Sequence, residues 1–189
     1  KLEEAVESYK LVLKINPVYA NAHFNMGNAL KENIDLDAAI DSYNQAIKIN
    51  PHYLDAYNNK GNVLKDKGSI KASIKSYNQA LDIKPDNSEV LFNRSVAHLT
   101  QGDFKNGWLQ YDRRLERGSF KATHLISNKS KWKPTDGGRV LLWGEQGIGD
   151  QVMFASMISE LHANSDQLTI QVDERLIPLF KRSFPQDII

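Results

Sequence analysis

The sequence predicts a mainly α-helical protein, in which a solenoid of stacked helical hairpins is followed by a partial α/β unit. Pro17, Pro51 and Pro85 lie 34 residues apart, and the residues between them repeat in register. Within each period the apolar residues recur at helical spacing. After residue 118 this period stops and a strand-helix-strand-helix pattern begins. A fixed period of this length is the signature of stacked helical repeats.

The size and composition of the chain limit the other possibilities. The chain has 189 residues, 41% of them hydrophobic, which is enough for one or two domains. It has no cysteine, so disulfides and thiolate metal sites are excluded. The five histidines have no ligand spacing, so we expect no metal. No apolar run is long enough to span a bilayer, and we expect a cytoplasmic protein. The chain opens inside a helix without Met, so both ends are expected to be cuts through a longer protein.

Each repeat is predicted to be a pair of amphipathic helices. The links between the two helices, at 32–35 and 67–69, have the polar and glycine-containing character of tight turns. Proline ends the second helix because it lacks an amide donor. In the unit at 20–53 the apolar and small residues at helical spacing are Ala22, Met26, Ala29 and Leu30, then Ala39, Ile40, Tyr43, Ala46 and Ile47.

Two columns of the repeat are predicted to hold the helices together. One column carries small residues, which let the two helices of a hairpin approach closely. The other carries tyrosines, which we expect to fill the gap to the next hairpin. The small column is Gly27, Gly61 and Ser95, and the tyrosine column is Tyr43, Tyr77 and Tyr111.

This pattern resembles the tetratricopeptide repeat over residues 1–117. The resemblance gives a half repeat at 1–19 and repeats at 20–53, 54–87 and 88–121. It implies a right-handed superhelix of helix hairpins, a concave surface lined by the first helix of each repeat, and a protein partner. The last repeat departs from the pattern, because Trp108 and Arg114 stand where earlier repeats have isoleucine and alanine, and this predicts an end unit.

Asparagines recur along the predicted first helices. Each amide offers an acceptor and two donors, so a row of them could follow the backbone of an extended peptide. The row resembles the asparagine ladder in the repeats of O-GlcNAc transferase, which implies a peptide-binding concave face. The alternative is that these residues are solvated, or reflect a bias in composition. The predicted ladder is Asn25, Asn59 and Asn93, with Asn28 and Asn62 one helical turn further along.

Residues 118–138 read as a basic linker. Residues 113–139 carry eight Lys or Arg against two acidic residues. Such a stretch suits an acidic partner, but it is more often a solvated connection. Only Phe120 and Trp132 interleave with the charges, too few for a stacking platform, so we expect no nucleic-acid partner.

Residues 139–189 predict a partial α/β unit. The sequence indicates a buried strand at Arg139–Trp143, a glycine-rich turn at 144–149 and an amphipathic helix at 150–163. A second strand at 168–172 and a helix at 174–183 follow. This order of elements favours a parallel, Rossmann-like arrangement.

The glycine-rich turn is the candidate site for a phosphate or a sugar. Glycines between a strand and a helix allow backbone to approach a ligand, and free N–H groups at a helix start favour anions. The spacing fits neither the dinucleotide-binding motif nor the P-loop. The residues of this candidate site are Gly144, Gln146, Gly147 and Gly149.

The stretch 139–154 resembles the opening of the heptosyltransferase-like domain of glycosyltransferase family 9. That resemblance implies a GT-B enzyme in which Asp150 would be the catalytic residue, activating the acceptor hydroxyl as a general base. The alternative is that Asp150 only caps a helix. We expect no cofactor in residues 1–189, whereas the parent protein would use a sugar nucleotide.

Two functions therefore remain open. Either the repeats recruit the acceptor for a larger glycosyltransferase-like protein, with this fragment itself inactive, or the chain is a pure interaction scaffold with a non-catalytic α/β segment. A truncated α/β part exposes a strand edge and apolar surface, so we expect self-association through it.

Overall fold

The structure is a computed structural model that describes residues 1–116, 129–133, 136–144 and 147–184. The chain divides into two compact units, Lys1–Phe120 and Lys121–Ile189.

The described part of unit 1 is entirely helical. Each helix packs against the next, and in addition α2 contacts α4 and α4 contacts α6, so the first helices of successive hairpins adjoin one another. A 3-10 helix, Asp112–Glu116, follows the last α-helix. The seven α-helices are α1 (Leu2–Ile15), α2 (Ala20–Glu32), α3 (Leu36–Ile49), α4 (Leu54–Asp66), α5 (Ile70–Ile83), α6 (Ser88–Thr100) and α7 (Phe104–Tyr111).

The tight turns predicted within the hairpins are confirmed. At equivalent positions, Gly68 and Gly102 have φ of 78° and 82°, and Ile34 has φ of 63°. This left-handed conformation suits glycine, because an L side chain there meets the following carbonyl. The first repeat thus makes with isoleucine the same turn that the later repeats make with glycine.

Side-chain caps begin three of the helices. The Asp35 carboxylate accepts from Ala38 N at 3.3 Å, and the Asn87 amide oxygen accepts from Val90 N at 3.0 Å. The Asp103 carboxylate accepts from Asn106 N at 3.2 Å. Each bond satisfies one of the amides that a helix start leaves without an intrahelical partner. The cap residues thus mark where α3, α6 and α7 begin.

The tyrosine column packs differently from the prediction. A Cβ built on Gly27 would lie 2.7 Å from Tyr43 Cε1, and one on Gly61 would lie 2.4 Å from Tyr77 Cε1. Each ring therefore lies against the glycine of its own hairpin, rather than only filling the gap to the next one. The buried cluster around Tyr43 still reaches Val63 in the following hairpin.

The last hairpin differs from the earlier ones. Its second helix, α7, has 8 residues, whereas α3 and α5 each have 14. The Trp108 side chain is 53% exposed. The Arg114 guanidinium is buried, with its carbon 4.6 Å from the Tyr111 ring centroid, where it makes a cation–π contact.

Unit 2 contains two parallel strands in its described residues, β1 (Arg139–Trp143) and β2 (Gln167–Gln171). The strands pair in register from Arg139 opposite Gln167 to Trp143 opposite Gln171. The connection holds α8 (Ile148–Phe154), a 3-10 helix (Ala155–Met157) and α9 (Ile158–Ala163). After β2 come a 3-10 helix (Glu174–Leu176) and α10 (Ile177–Ser183).

Two details of unit 2 correct the sequence prediction. The single helix expected at 150–163 is broken by the 3-10 turn, and the second strand begins at Gln167 rather than at residue 168. Two strands do not by themselves establish a Rossmann-like sheet. One sheet face carries Val140, Leu168 and Ile170 into a core closed by residues of the helices, whereas Leu141 on the other face is 49% exposed.

Candidate functional site

The asparagines predicted as a ladder lie on the adjoining first helices of the three hairpins, but their environments differ. Asn25 on α2 is exposed. Asn28, Asn59 and Asn62 are half-buried. Asn93 on α6 is only 9% exposed. An exposed amide is free to meet a ligand, whereas a buried one must bond inside the protein.

Hydrogen bonds tie the first two hairpins together at Asn28. Its Oδ1 accepts from the Tyr43 hydroxyl at 2.8 Å and from Asn59 Nδ2 at 2.9 Å. Tyr43 belongs to the same hairpin as Asn28, and Asn59 belongs to the next. The amide oxygen of Asn28 is therefore used within the fold.

The junction between the second and third hairpins is built differently. The Tyr77 hydroxyl donates to Asn62 Oδ1 at 2.8 Å, as Tyr43 does to Asn28. Asn93 Nδ2, however, donates to Asn58 Oδ1 at 3.0 Å, and both of these residues are buried. Asn93 thus does not repeat the contact of Asn59.

Asn58 is the residue that the sequence reasoning missed. It stands in the repeat phase that Phe24 and Phe92 occupy in the neighbouring units. An amide in a column otherwise held by phenylalanine could have signalled an internal hydrogen bond, because a buried amide needs a partner. In the structure this partner is Asn93.

The two tyrosines keep their protons. Burial raises the pKa of Tyr43 well above its usual value of 10, against a smaller opposing effect of the hydrogen bond with Asn59. Burial also raises the pKa of Tyr77, helped by the nearby negative charge of Asp66. A neutral phenol carries one O–H to donate, and in both cases an asparagine oxygen receives it.

Aromatic rings and charged side chains also lie on or beside the first helices of the hairpins. The rings of Phe24 and Tyr53 lie 4.9 Å apart between centroids, and the Tyr53 hydroxyl donates to Asn21 Oδ1 at 2.9 Å. Acidic and basic side chains are equal in number on each of the three first helices. They are Glu32 with Lys31 on α2, Asp55 and Asp66 with Lys60 and Lys65 on α4, and Glu89 with Arg94 on α6. The Asp, Glu, Lys and Arg side chains of each first helix therefore sum to zero net charge.

In unit 2 the glycine-rich turn approaches the protein itself closely at Gly144. Gly144 N donates to Gln171 O at 2.9 Å, and a Cβ built on Gly144 would lie 2.9 Å from Gln151 Cδ. Gln151 Oε1 in turn accepts from Asp173 N at 2.9 Å. Gln151, which the sequence reasoning did not single out, thus links the turns that follow the two strands. Gln146 lies outside the described residues.

Asp150 is not the helix cap that the alternative interpretation required. The cap position of α8 belongs to Gly147, and no side chain makes a capping bond there. Asp150 is the third residue of the helix, and a Cβ built on Gly147 would lie 3.9 Å from its Oδ2. A Cβ built on Gly149 would meet nothing within 4 Å.

An open groove in unit 2 lies away from the glycine-rich turn. It is formed by the early residues of both strands and the segment before them, including Trp132, Arg139 and Thr169. None of the candidate turn residues lines it. In parallel α/β sheets ligands bind outside the carboxyl ends of the strands, which is the opposite end.

Across the described ranges, no cluster of three or more His, Asp or Glu side chains could hold a metal ion. No helix within those ranges has both the length and the hydrophobicity that a membrane span requires.

A comparison with known protein families shows which family the repeats match. A family model described as TPR repeat matches residues 1–33, 35–68 and 61–102, more than half of the chain. The Protein FlbA of Caulobacter vibrioides (strain ATCC 19089 / CIP 103742 / CB 15) is 35% identical over 98 residues, which are 49% of this chain. The chain spans only 16% of the length of that relative.

Solved structures with the same fold include two of MamA. One is 27% identical with a TM-score of 0.58, and the match covers 61% of this chain and 67% of that one. The other is 25% identical with a TM-score of 0.54, covering 67% and 70%. A MamA RS-1 double mutant, 18% identical with a TM-score of 0.56, supports the fold alone.

Proposed function

The chain belongs to the tetratricopeptide repeat family, and we propose that its solenoid is a protein-binding scaffold that holds an extended polypeptide along α2, α4 and α6. The tetratricopeptide repeats favour a protein partner. For the whole chain we infer the bounds 1–117 for the solenoid, 118–138 for a basic linker and 139–189 for the α/β segment.

The observation that carries the proposal is the row of asparagines on adjoining first helices. Asn25 is exposed, and Asn28, Asn59 and Asn62 are partly so, which leaves amide groups for a ligand. Amide groups suit the peptide backbone, since they match its donors and acceptors whatever its side chains. The balanced charges of the same helices agree with a ligand that is read through its backbone. Asn93 is proposed to contribute less than the others because it is buried.

A peptide-selection experiment tests this function. Peptides of 12 residues are selected from a random display library for binding to the full chain. Their affinity should fall about tenfold when Asn25 and Asn59 are both replaced by alanine, because each lost hydrogen bond contributes about 0.5–1.5 kcal/mol. Gln45→Ala, on the exposed face of the second helix α3, is the matched control and should leave the affinity unchanged. Equal affinity for the double variant and the control would reject the asparagine face as the binding surface.

We further propose that the parent protein is a glycosyltransferase-like enzyme and that its repeats recruit the acceptor. The parallel pairing of β1 with β2 supports it, as does Asp150 in the first turn of the helix after the glycine-rich turn. The competing proposal is a pure scaffold with a non-catalytic α/β segment. The family match ends at residue 102 and favours neither.

Sugar transfer by the full-length parent separates these two proposals. Transfer or hydrolysis of a sugar nucleotide that is lost in Asp150→Asn supports the enzyme, because the amide cannot accept the acceptor's proton. Asp136→Asn, in the segment before β1, is the matched control and should retain the activity. A parent that is inactive with every donor of a panel supports the scaffold.

A further inference from the structure

We propose that Asn28 and Asn62 present N–H donors to the backbone carbonyl oxygens of a bound polypeptide. Tyr43 and Tyr77 are the positioning residues, because they fix which end of each asparagine amide faces the ligand. The inference rests on the proposed peptide-binding function and adds to it the chemical group that is recognised.

The orientation of each amide follows from its tyrosine. Tyr43 and Tyr77 are completely buried, and each hydroxyl lies 2.8 Å from the Oδ1 of its asparagine. A buried phenol that keeps its proton must donate it. If the amide were rotated by 180°, its N–H groups would face the hydroxyl and the phenolic proton would lose this acceptor, which is costly in a buried site. The oxygen therefore points to the tyrosine, and the NH₂ group points the other way.

A second contact fixes the same orientation at Asn28. Asn59 Nδ2 donates to Asn28 Oδ1 at 2.9 Å, so this oxygen receives two hydrogen bonds from the protein. Neither bond uses the NH₂ group of Asn28. Asn59 uses one of its own N–H groups for this contact, and its Oδ1 takes no part in it.

The equivalent donor is missing in the third hairpin. Val96 replaces asparagine in the phase of Asn28 and Asn62, and Asn93 is buried against Asn58. The donors therefore lie on the first two hairpins. Because the charges on the three first helices are balanced, a neutral carbonyl within the peptide fits this face better than a carboxylate.

The first test uses two small amides as probes on the uniformly ¹⁵N-labelled full chain. N,N-dimethylacetamide can only accept a hydrogen bond, whereas N-methylacetamide can accept and donate. We expect both probes to move the side-chain NH₂ signals of Asn28 and Asn62 equally, and beyond the shift of the exposed Asn50, which reports the bulk solvent effect. A response to N-methylacetamide without one to N,N-dimethylacetamide would overturn the proposal.

The positioning role is tested by Tyr77→Phe, which keeps the buried ring but removes the donor. The response of Asn62 to N,N-dimethylacetamide should fall at least threefold, while that of Asn28 stays unchanged. Tyr53→Phe, whose hydroxyl meets Asn21, is the control and should alter neither signal. An unchanged Asn62 response in folded Tyr77→Phe, checked by circular dichroism, would show that Tyr77 does not set the polarity.

These probes do not depend on a peptide ligand. If no selected peptide depends on Asn25 and Asn59 but the amide probes behave as expected, the proposed function fails and the donor polarity stands. If peptides bind through the asparagines but the acceptor-only probe has no effect, the polarity fails and the function stands.

Discussion

At the scale of single residues, a few positions in each repeat restrict which side chain can be accommodated. Ile34 adopts the left-handed turn that Gly68 and Gly102 adopt in the later repeats, and its side chain is 81% exposed. It therefore bears the strain of a side chain in that conformation without burying much apolar area in return. Gly27 and Gly61 show the opposite case, since a tyrosine ring occupies the space of the missing Cβ.

Replacing Ile34 by glycine should stabilise the protein by about 1 kcal/mol, because glycine adopts positive φ without strain and this gain exceeds its loss of chain entropy. Ile34→Ala is the matched control and should change stability less, since alanine keeps the Cβ. Urea unfolding followed by circular dichroism measures both. A glycine variant that is no more stable than the alanine variant would contradict the strain.

Replacing Gly61 by alanine should destabilise the protein by about 1–3 kcal/mol, because the new methyl group would overlap the buried Tyr77 ring. Gly149→Ala is the control for the added methyl group, since open space surrounds that position. The same unfolding measurement applies. If Gly61→Ala were as stable as the wild type, the close packing of helix on ring would be wrong.

At the scale of elements, side-chain caps mark where α3, α6 and α7 begin. The start of α7 depends on Asp103, whose carboxylate accepts from the side chain of Asn106 at 2.7 Å and from its backbone N–H at 3.2 Å. These two bonds, and then the His98 ring 3.0 Å away, lower the pKa of Asp103 below its usual 3.8. The charged form of this cap is thus favoured by folding.

The stability that Asp103 contributes should be lost at low pH. Its pKa is lower in the folded than in the unfolded chain, so the contribution is complete above about pH 3.8 and disappears as the pH falls through the folded value. The urea midpoint of the wild type should therefore drop more between pH 6 and pH 2.5 than that of Asp103→Asn. Equal drops in the two proteins would argue against this cap, since all other carboxylates are common to both.

At the scale of the whole molecule, the two units have separate cores of different kinds. Unit 1 is held by small-residue and tyrosine contacts that recur from hairpin to hairpin, whereas unit 2 buries one face of a two-stranded sheet. On the other face and on the connecting helices, Leu141, Met153 and Met157 are 49%, 60% and 51% exposed. Exposed apolar side chains of this size favour association when another surface can cover them.

The 189-residue chain should therefore self-associate with increasing concentration, because burial of the exposed apolar side chains of unit 2 is favourable by about 25 cal/mol per Å². Light scattering coupled to size exclusion measures the mass. Leu141→Lys should shift the distribution towards the monomer, and Gln45→Lys, at an exposed polar position in unit 1, is the control for added charge. A sharp monomer at all concentrations would show the prediction to be wrong.

Much of the fold follows from local patterns. The 34-residue period, the glycines of the turns and the prolines after the second helices act within a few residues of their own position, and so they predict the hairpins. The apolar run at 139–143 and the segment at 168–172 similarly predict both strands, the second displaced by one residue. The break after α8 was not predicted, because an amphipathic pattern does not distinguish α-helix from a short 3-10 turn.

The candidate site depended on contacts that no local pattern contains. Sequence alone placed Asn25, Asn28, Asn59, Asn62 and Asn93 in two phased columns, since spacing along a helix fixes which residues share a face. Only the tertiary structure decided that Asn28 and Asn62 turn their oxygens to buried tyrosines and that Asn58 holds Asn93. Hydrogen bonds between residues 15 to 35 positions apart depend on how helices pack, and this is determined by the whole solenoid rather than by any one repeat.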